Sequence, residues 1–92
     1  MLPKIISIIC SEYNVSEQDI STPIRTGIIS ECRSMICYVA IWKMRISEEE
    51  VGLALNRTPK NCLYLLERAR DRIDLYSGDK ERFEKIMGEI KE

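Results

Sequence analysis

The chain contains no histidine. A cysteine nucleophile therefore lacks its usual base, and any zinc site would have to be built from cysteine alone. The four cysteines, Cys10, Cys32, Cys37 and Cys62, do not supply it, because no two fall in the close C-x-x-C spacing that a four-cysteine site needs. All four sit at positions of apolar periodicity, where a free thiol behaves as a small hydrophobe, so they read as core residues with no metal attached. Glycine is also scarce. The four glycines are isolated and no G-x-x-x-x-G-K-[ST] loop occurs, which excludes an ATP-driven machine of the P-loop type. No apolar run approaches the roughly 20 residues of a membrane span. The longest, around Ile36–Trp42, is followed directly by Lys43 and Arg45. The early apolar stretch Ile5–Cys10 has only Lys4 before it and no small-residue cleavage site after it, so no signal peptide is expected and the chain reads as cytoplasmic. Strand alternation, internal repeats and low-complexity linkers are absent as well.

What remains is a chain of 92 residues, one domain in size, with 45% hydrophobic and 32% charged residues. The net charge of −1 argues against a nucleic-acid partner when taken as a sum, but the charges are unevenly placed. Between positions 25 and 45, Arg25, Arg33, Lys43 and Arg45 face one acid, Glu31, a net of +3. Between 57 and 70, Arg57, Lys60, Arg68 and Arg70 face only Glu67, again +3. The acids gather at Glu48-Glu49-Glu50 and beyond Asp71. The glutamate triplet suits the first turn of a helix, where the dipole favours it, better than a catalytic carboxylate pair. No group assembles for catalysis and no cofactor is called for.

Apolar spacing of three and four residues predicts helices throughout, and hence an all-α bundle. Pro3 in a first turn and the stripe Ile5, Ile6, Ile9 and Cys10 predict a helix over 3–12. Ser16 followed by Asp19 marks a short helical turn ending near Ile20. Thr22 as cap and Pro23 in the first turn open a long helix to about Met44, with Ile28, Ile29, Cys32, Met35, Ile36, Val39 and Ala40 inward; Gly27 leaves open a basic loop over 21–27 instead. Ser47-x-x-Glu50 has the form of a capping box, starting a helix through Val51, Ala54 and Leu55. Asn56-Arg57 breaks it, and Thr58-Pro59 starts the next, with Cys62, Leu66, Ala69 and Ile73 inward. Tyr76-Ser77-Gly78 ends that helix, and Asp79 caps a last one carrying Phe83, Ile86, Met87 and Ile90. This last stripe packs on the first helix or, alternatively, on a second copy or a protein partner. Trp42 and Tyr38 read as core and interface. Gly52, costly inside a helix, fits a place where another helix comes close.

Residues 47–73 thus form a helix, a three-residue break and a longer helix with a polar N-terminal end, the pattern of a helix-turn-helix. The second helix of such a unit lies in the major groove of duplex DNA with its early residues against base edges. Lys60, Asn61, Tyr64 and Arg68 project opposite the apolar stripe; lysine and asparagine can read guanine and adenine edges, and Arg57 and Arg70 can hold phosphates. An ordinary helical hairpin with a solvated basic face gives the same spacing.

The residues themselves carry a resemblance. Glu50-Val51-Gly52-Leu53-Ala54-Leu55-Asn56-Arg57 resembles the E-I-G-x-x-F-G-G-R segment of the C-terminal DNA-binding domain of the bacterial replication initiator DnaA. Cys32-Arg33-Ser34-Met35-Ile36-Cys37-Tyr38-Val39 resembles that domain's A-R-Q-x-A-M-Y-L helix, residues 8–20 its opening V-A-x-x-Y-x-V-x-x-x-D-L, and residues 71–92 its last helices. The resemblance implies the helical bundle shared with the trp repressor. It implies that Arg25 enters a minor groove, that Arg33 and Arg57 are among the residues at the DNA, and that the role is tied to replication or transcription. Two departures matter. The family's R-D-H-[ST]-T-V becomes Arg57-Thr58-Pro59-Lys60-Asn61-Cys62, so the base-reading Asp-His pair is replaced, and Pro23 and Gly27 stand where basic residues are usual. The expected DNA-binding set is Arg25, Arg33, Lys43, Arg57, Thr58, Lys60, Asn61, Tyr64 and Arg68. The alternative is a protein-interaction adaptor on the same fold. Glu49-Glu50-Val51-Gly52 and Glu67-Arg68-Ala69-Arg70 also resemble a promoter-reading sigma-factor region, but the upstream segments favour the initiator domain.

Overall fold

The computed structural model describes residues 1–91, and they are all-helical: α1 (Leu2–Tyr13), α2 (Gly27–Cys37), α3 (Glu48–Leu55), α4 (Pro59–Leu75) and α5 (Ser77–Lys91). Glu92, the end of the 71–92 resemblance, lies outside the described residues. A single 3-10 turn, Asp19–Ser21, interrupts the connection between α1 and α2, and a π-helical segment, Tyr38–Lys43, extends α2.

Helix α1 places Pro3 in its first turn and buries Leu2, Ile5, Ile9, Cys10 and Tyr13 on one face. It stops at Asn14, whose left-handed backbone (φ 55°) lets Val15 N–H donate to the Cys10 carbonyl at 2.9 Å. The expected start of α2 at Thr22-Pro23 is not observed. The Thr22 hydroxyl donates to the Asp19 carbonyl (2.7 Å) and so closes the 3-10 turn, and α2 begins four residues after Pro23 at Gly27, with Thr26 in the cap position. The alternative of a loop in place of the first helical turns, expected over 21–27, is the one realised, over residues 22–26. Ile28, expected in the core, is 45% exposed as a result.

From Cys32 to Ala40 every residue is buried, Arg33 and Ser34 included, so α2 is surrounded by α1, α4 and the π segment rather than lying on them by one stripe. The widened turn keeps Val39 and Ala40 in the core while Trp42 turns outward, 51% exposed. Of the two aromatics read as core and interface, Tyr38 is the buried one; it meets Phe83 edge-on with ring centroids 5.3 Å apart. Left-handed Arg45 (φ 60°) then ends the element, with Ile46 N–H reaching back to the Ala40 carbonyl at 2.9 Å. The last helix begins at Ser77, one residue after α4, so Asp79 lies in its first turn rather than capping it. Ile86 and Ile90 are buried and Phe83 and Met87 half-buried, in the core that α1 and α5 share, so this stripe is not free to form a dimer.

All four cysteines are buried free thiols, and α2 supplies one to each of two contacts. Cys32 lies 3.9 Å from Cys10 of α1, and Cys37 meets Cys62 of α4. The thiol contact and burial together push Cys32 and Cys37 well above the usual thiol range, so neither is ionised at neutral pH.

Tyr13 gives the fold a pH dependence. Burial pushes its phenol up to about 12 from 10.0, against the pull of Arg82, which lies over the ring 4.3 Å from its centroid. As pH rises past 10 the unfolded chain releases this proton while the folded chain keeps it. The stabilisation is complete below pH 10 and disappears between pH 10 and 12, amounting to about 2–3 kcal/mol. Alkaline denaturation should show this loss, and Tyr13→Phe should remove most of it; an identical alkaline profile in both proteins would refute the assignment.

Candidate nucleic-acid interface

Two caps and one glycine position the α3–α4 unit. The Ser47 hydroxyl accepts from Glu50 N–H at 3.2 Å and opens α3. At the other end Asn56 is left-handed (φ 56°), which lets Arg57 N–H donate to the Gly52 carbonyl at 2.9 Å. The chain then doubles back so tightly that a Cβ on Gly52 would lie 2.6 Å from the Arg57 carbonyl oxygen. The close approach expected at Gly52 is therefore made by the turn's own backbone. Thr58 caps α4, its hydroxyl accepting from Asn61 N–H at 3.1 Å, and Pro59 occupies the first turn at no hydrogen-bond cost.

Beside this unit the 19–25 loop wraps around one guanidinium. Arg33, 2% exposed, donates through Nε to the Ile20 carbonyl (2.8 Å), through Nη1 to Ile24, and through Nη2 to Asp19 (3.0 Å) and Thr22 (2.7 Å). Burial, then the neighbouring Arg57 charge, pulls its pKa below the ordinary arginine value. Arg57 reaches the same loop: Nη2 donates to the Thr22 carbonyl at 2.8 Å and Nη1 to its own turn, at Asn56 (3.0 Å) and Leu55 (3.3 Å). Two arginines thus tie the loop to α2 and to the α3–α4 turn through backbone carbonyls alone.

The result is a concavity of about 540 Å³ between the loop, the start of α2 and one face of α4. Arg25 and Gly27 stand on one wall, Asn61, Tyr64, Arg68 and Arg72 on the other, and Arg33 and Arg57 at the join. Among the described residues no carboxylate comes within ion-pair distance of Arg25, Arg33, Arg57 or Arg68. A second hollow, about 380 Å³, lies between Arg25 and the Thr58–Asn61 end of α4.

Of the residues expected at the site, Arg25, Arg57, Thr58, Asn61, Tyr64 and Arg68 are brought together along these hollows. Lys60 is exposed beside them at the start of α4. Arg33 and Lys43 need correction. Arg33 is enclosed by the loop it holds, so it supports the site rather than reaching a long ligand such as duplex DNA. Lys43 is not in the concavity: its ammonium lies 5.8 and 5.6 Å from the ring centroids of Tyr38 and Phe83, at the opposite end of α2 and its π extension from Gly27. Arg70 turns away to pair with Glu67. Arg72 lines the concavity as well, although its place in the sequence does not single it out. It follows Asn61, Tyr64 and Arg68 at spacings of three and four, a signal hidden by the acids around it, and it is neutralised by Glu31 and by Asp79 at 3.7 Å.

Comparison with protein-family models gives no match, and no curated protein matches significantly. The site has to be read from its own geometry.

Proposed function

We propose that this chain binds duplex DNA through the exposed N-terminal half of α4, on a scaffold of the DnaA C-terminal-domain type, in a replication-associated or regulatory role within the cytoplasm. The observation that carries this reading is the cationic concavity beside α4. A surface of net acidic character concentrates unneutralised guanidinium on one face, adjoining a helix end that exposes Lys60, Asn61 and Tyr64. Phosphate contacts by Arg25, Arg57 and Arg68 set register, and Lys60 and Asn61 read base edges. Pro59 offers no side-chain donor, so the target differs from that of a helix carrying an Asp-His pair at this turn.

Selection from random duplexes followed by a salt titration tests the reading. An enriched motif is expected, with affinity falling as salt rises. Lys60→Ala or Asn61→Ala should reduce discrimination at one or two positions by about 1–3 kcal/mol, whereas Arg68→Ala should weaken binding to all sequences alike. Binding that vanishes at physiological salt with no enriched motif sinks the claim.

A protein-interaction role on the same scaffold is the second reading, and Leu53 favours it. That side chain is 86% exposed on α3, close in sequence to Glu48-Glu49-Glu50, where a DNA-supporting helix has no use for it. Recovery of DNA and no protein by affinity capture would end this alternative.

A further inference from the structure

The concavity has properties that a backbone phosphate of DNA does not fully use. Five arginines line it against one carboxylate, Glu31, which is paired with Arg72; Arg25, Arg33, Arg57 and Arg68 have no ion-pair partner among the described residues. A phosphodiester brings a single negative charge, whereas a terminal phosphate brings about −1.5 to −2 and a third acceptor oxygen. Donors remain available. Arg33 has five N–H groups and makes four hydrogen bonds, leaving one hydrogen on Nη1. Arg57 keeps Nε and one hydrogen of Nη2, and Arg68 contacts only the Tyr64 hydroxyl, at 3.4 Å. Helix α2 begins at Gly27 on the same wall with no side-chain cap on its first N–H groups, and nothing stands within 4 Å of where a Gly27 side chain would begin. The volume, about 540 Å³, falls in the range of small-molecule sites, roughly 300–1,000 Å³. Tyr64, 57% exposed with the Arg68 guanidinium 5.9 Å from its ring centroid, offers a flat face at the margin.

We propose that the concavity between the 19–25 loop and α4 is a binding site for a short polyphosphate chain, of the nucleoside triphosphate class. Arg25 and Arg68 close on the chain from opposite walls, Arg57 and the spare Arg33 hydrogen meet it at the join, and Tyr64 faces the base. Charge and volume carry this site, and it does not depend on duplex binding.

Calorimetric titration at fixed ionic strength tests it, using inorganic tripolyphosphate, ATP and, as reference, sulfate. Tripolyphosphate should bind one to one and at least tenfold more tightly than sulfate. Arg25→Ala and Arg68→Ala should each weaken it about tenfold, with the fold of each variant checked by circular dichroism. ATP should bind more tightly than tripolyphosphate, and Tyr64→Ala should abolish that difference. Lys60→Ala, outside the concavity, should leave tripolyphosphate binding intact while weakening a selected duplex. Tripolyphosphate binding no tighter than sulfate, or indifferent to both arginine substitutions, overturns the site. ATP no tighter than tripolyphosphate overturns the nucleoside assignment. Tripolyphosphate binding in a protein that ignores every duplex upholds this site and removes the DNA reading; duplex binding without tripolyphosphate binding does the reverse.

Discussion

Gly52→Ala should lower stability by about 2 kcal/mol, a drop of roughly 8–16 °C in melting temperature for a domain this size. Helix propensity alone predicts the opposite, since alanine is favoured over glycine by about 1 kcal/mol inside a helix. The contact decides the sign. The new methyl would lie 2.6 Å from the Arg57 carbonyl oxygen, and what must move is backbone, not the end of a flexible side chain. A shift there pulls on the Arg57 N–H bond to Gly52, on the Thr58 cap and on the Arg57 guanidinium that holds Thr22. Ligand binding at α4 should therefore fall further than the loss of folded protein explains. Gly88→Ala is the matched control: a Cβ there meets nothing within 4 Å inside α5, so propensity acts unopposed and stability should rise by about 0.5–1 kcal/mol. Thermal melts of the two variants should move in opposite directions, and a parallel rise in both would refute the clash.

Arg33→Lys should be about as damaging, costing roughly 2–4 kcal/mol although the charge is kept. Lysine has a single ammonium and no planar fork, so it cannot serve the carbonyls of Asp19, Ile20, Thr22 and Ile24 at once. Those left unpaired, with a cation still buried among them, make the loop open. Arg25 lies in that loop, so tryptic cleavage after Arg25 reports the opening directly. It should accelerate in Arg33→Lys well before global unfolding and stay slow in Arg68→Ala. Equal cleavage rates in the wild type and Arg33→Lys would show that the guanidinium does not hold the loop.

These two residues also mark where sequence reasoning works and where it fails. Gly52 was legible because a glycine in a helix is an anomaly that demands a close neighbour. Ser47, Thr58 and Pro59 were legible because caps act within three residues of themselves. The buried stripes of α1 and α5 follow from local spacing in the same way. Arg33 was not legible. A cation inside a helix reads as a surface residue, and its partners are backbone carbonyls, which residue types do not display. The late start of α2 has the same origin: Thr22-Pro23 carries a good cap signal, but the carbonyls of Thr22 and Ile24 bind Arg33 and the Thr22 hydroxyl serves the preceding turn. Lys43 misleads because the net charge of residues 25–45 does not say which end or face of the helix a cation occupies, and Lys43 lies at the far end from the concavity. Among the site residues, those of α4 are legible because they share one face by periodicity, whereas Arg25 stands out only through the charge of its segment and the resemblance.

Backbone amide shifts followed during titration with a selected duplex locate the contact surface on the protein. The largest changes are expected over residues 22–27 and 57–68, with α5 and the α1–α5 contact unmoved. Changes centred on Leu53 and α3, with none over 57–68, would contradict duplex binding through α4.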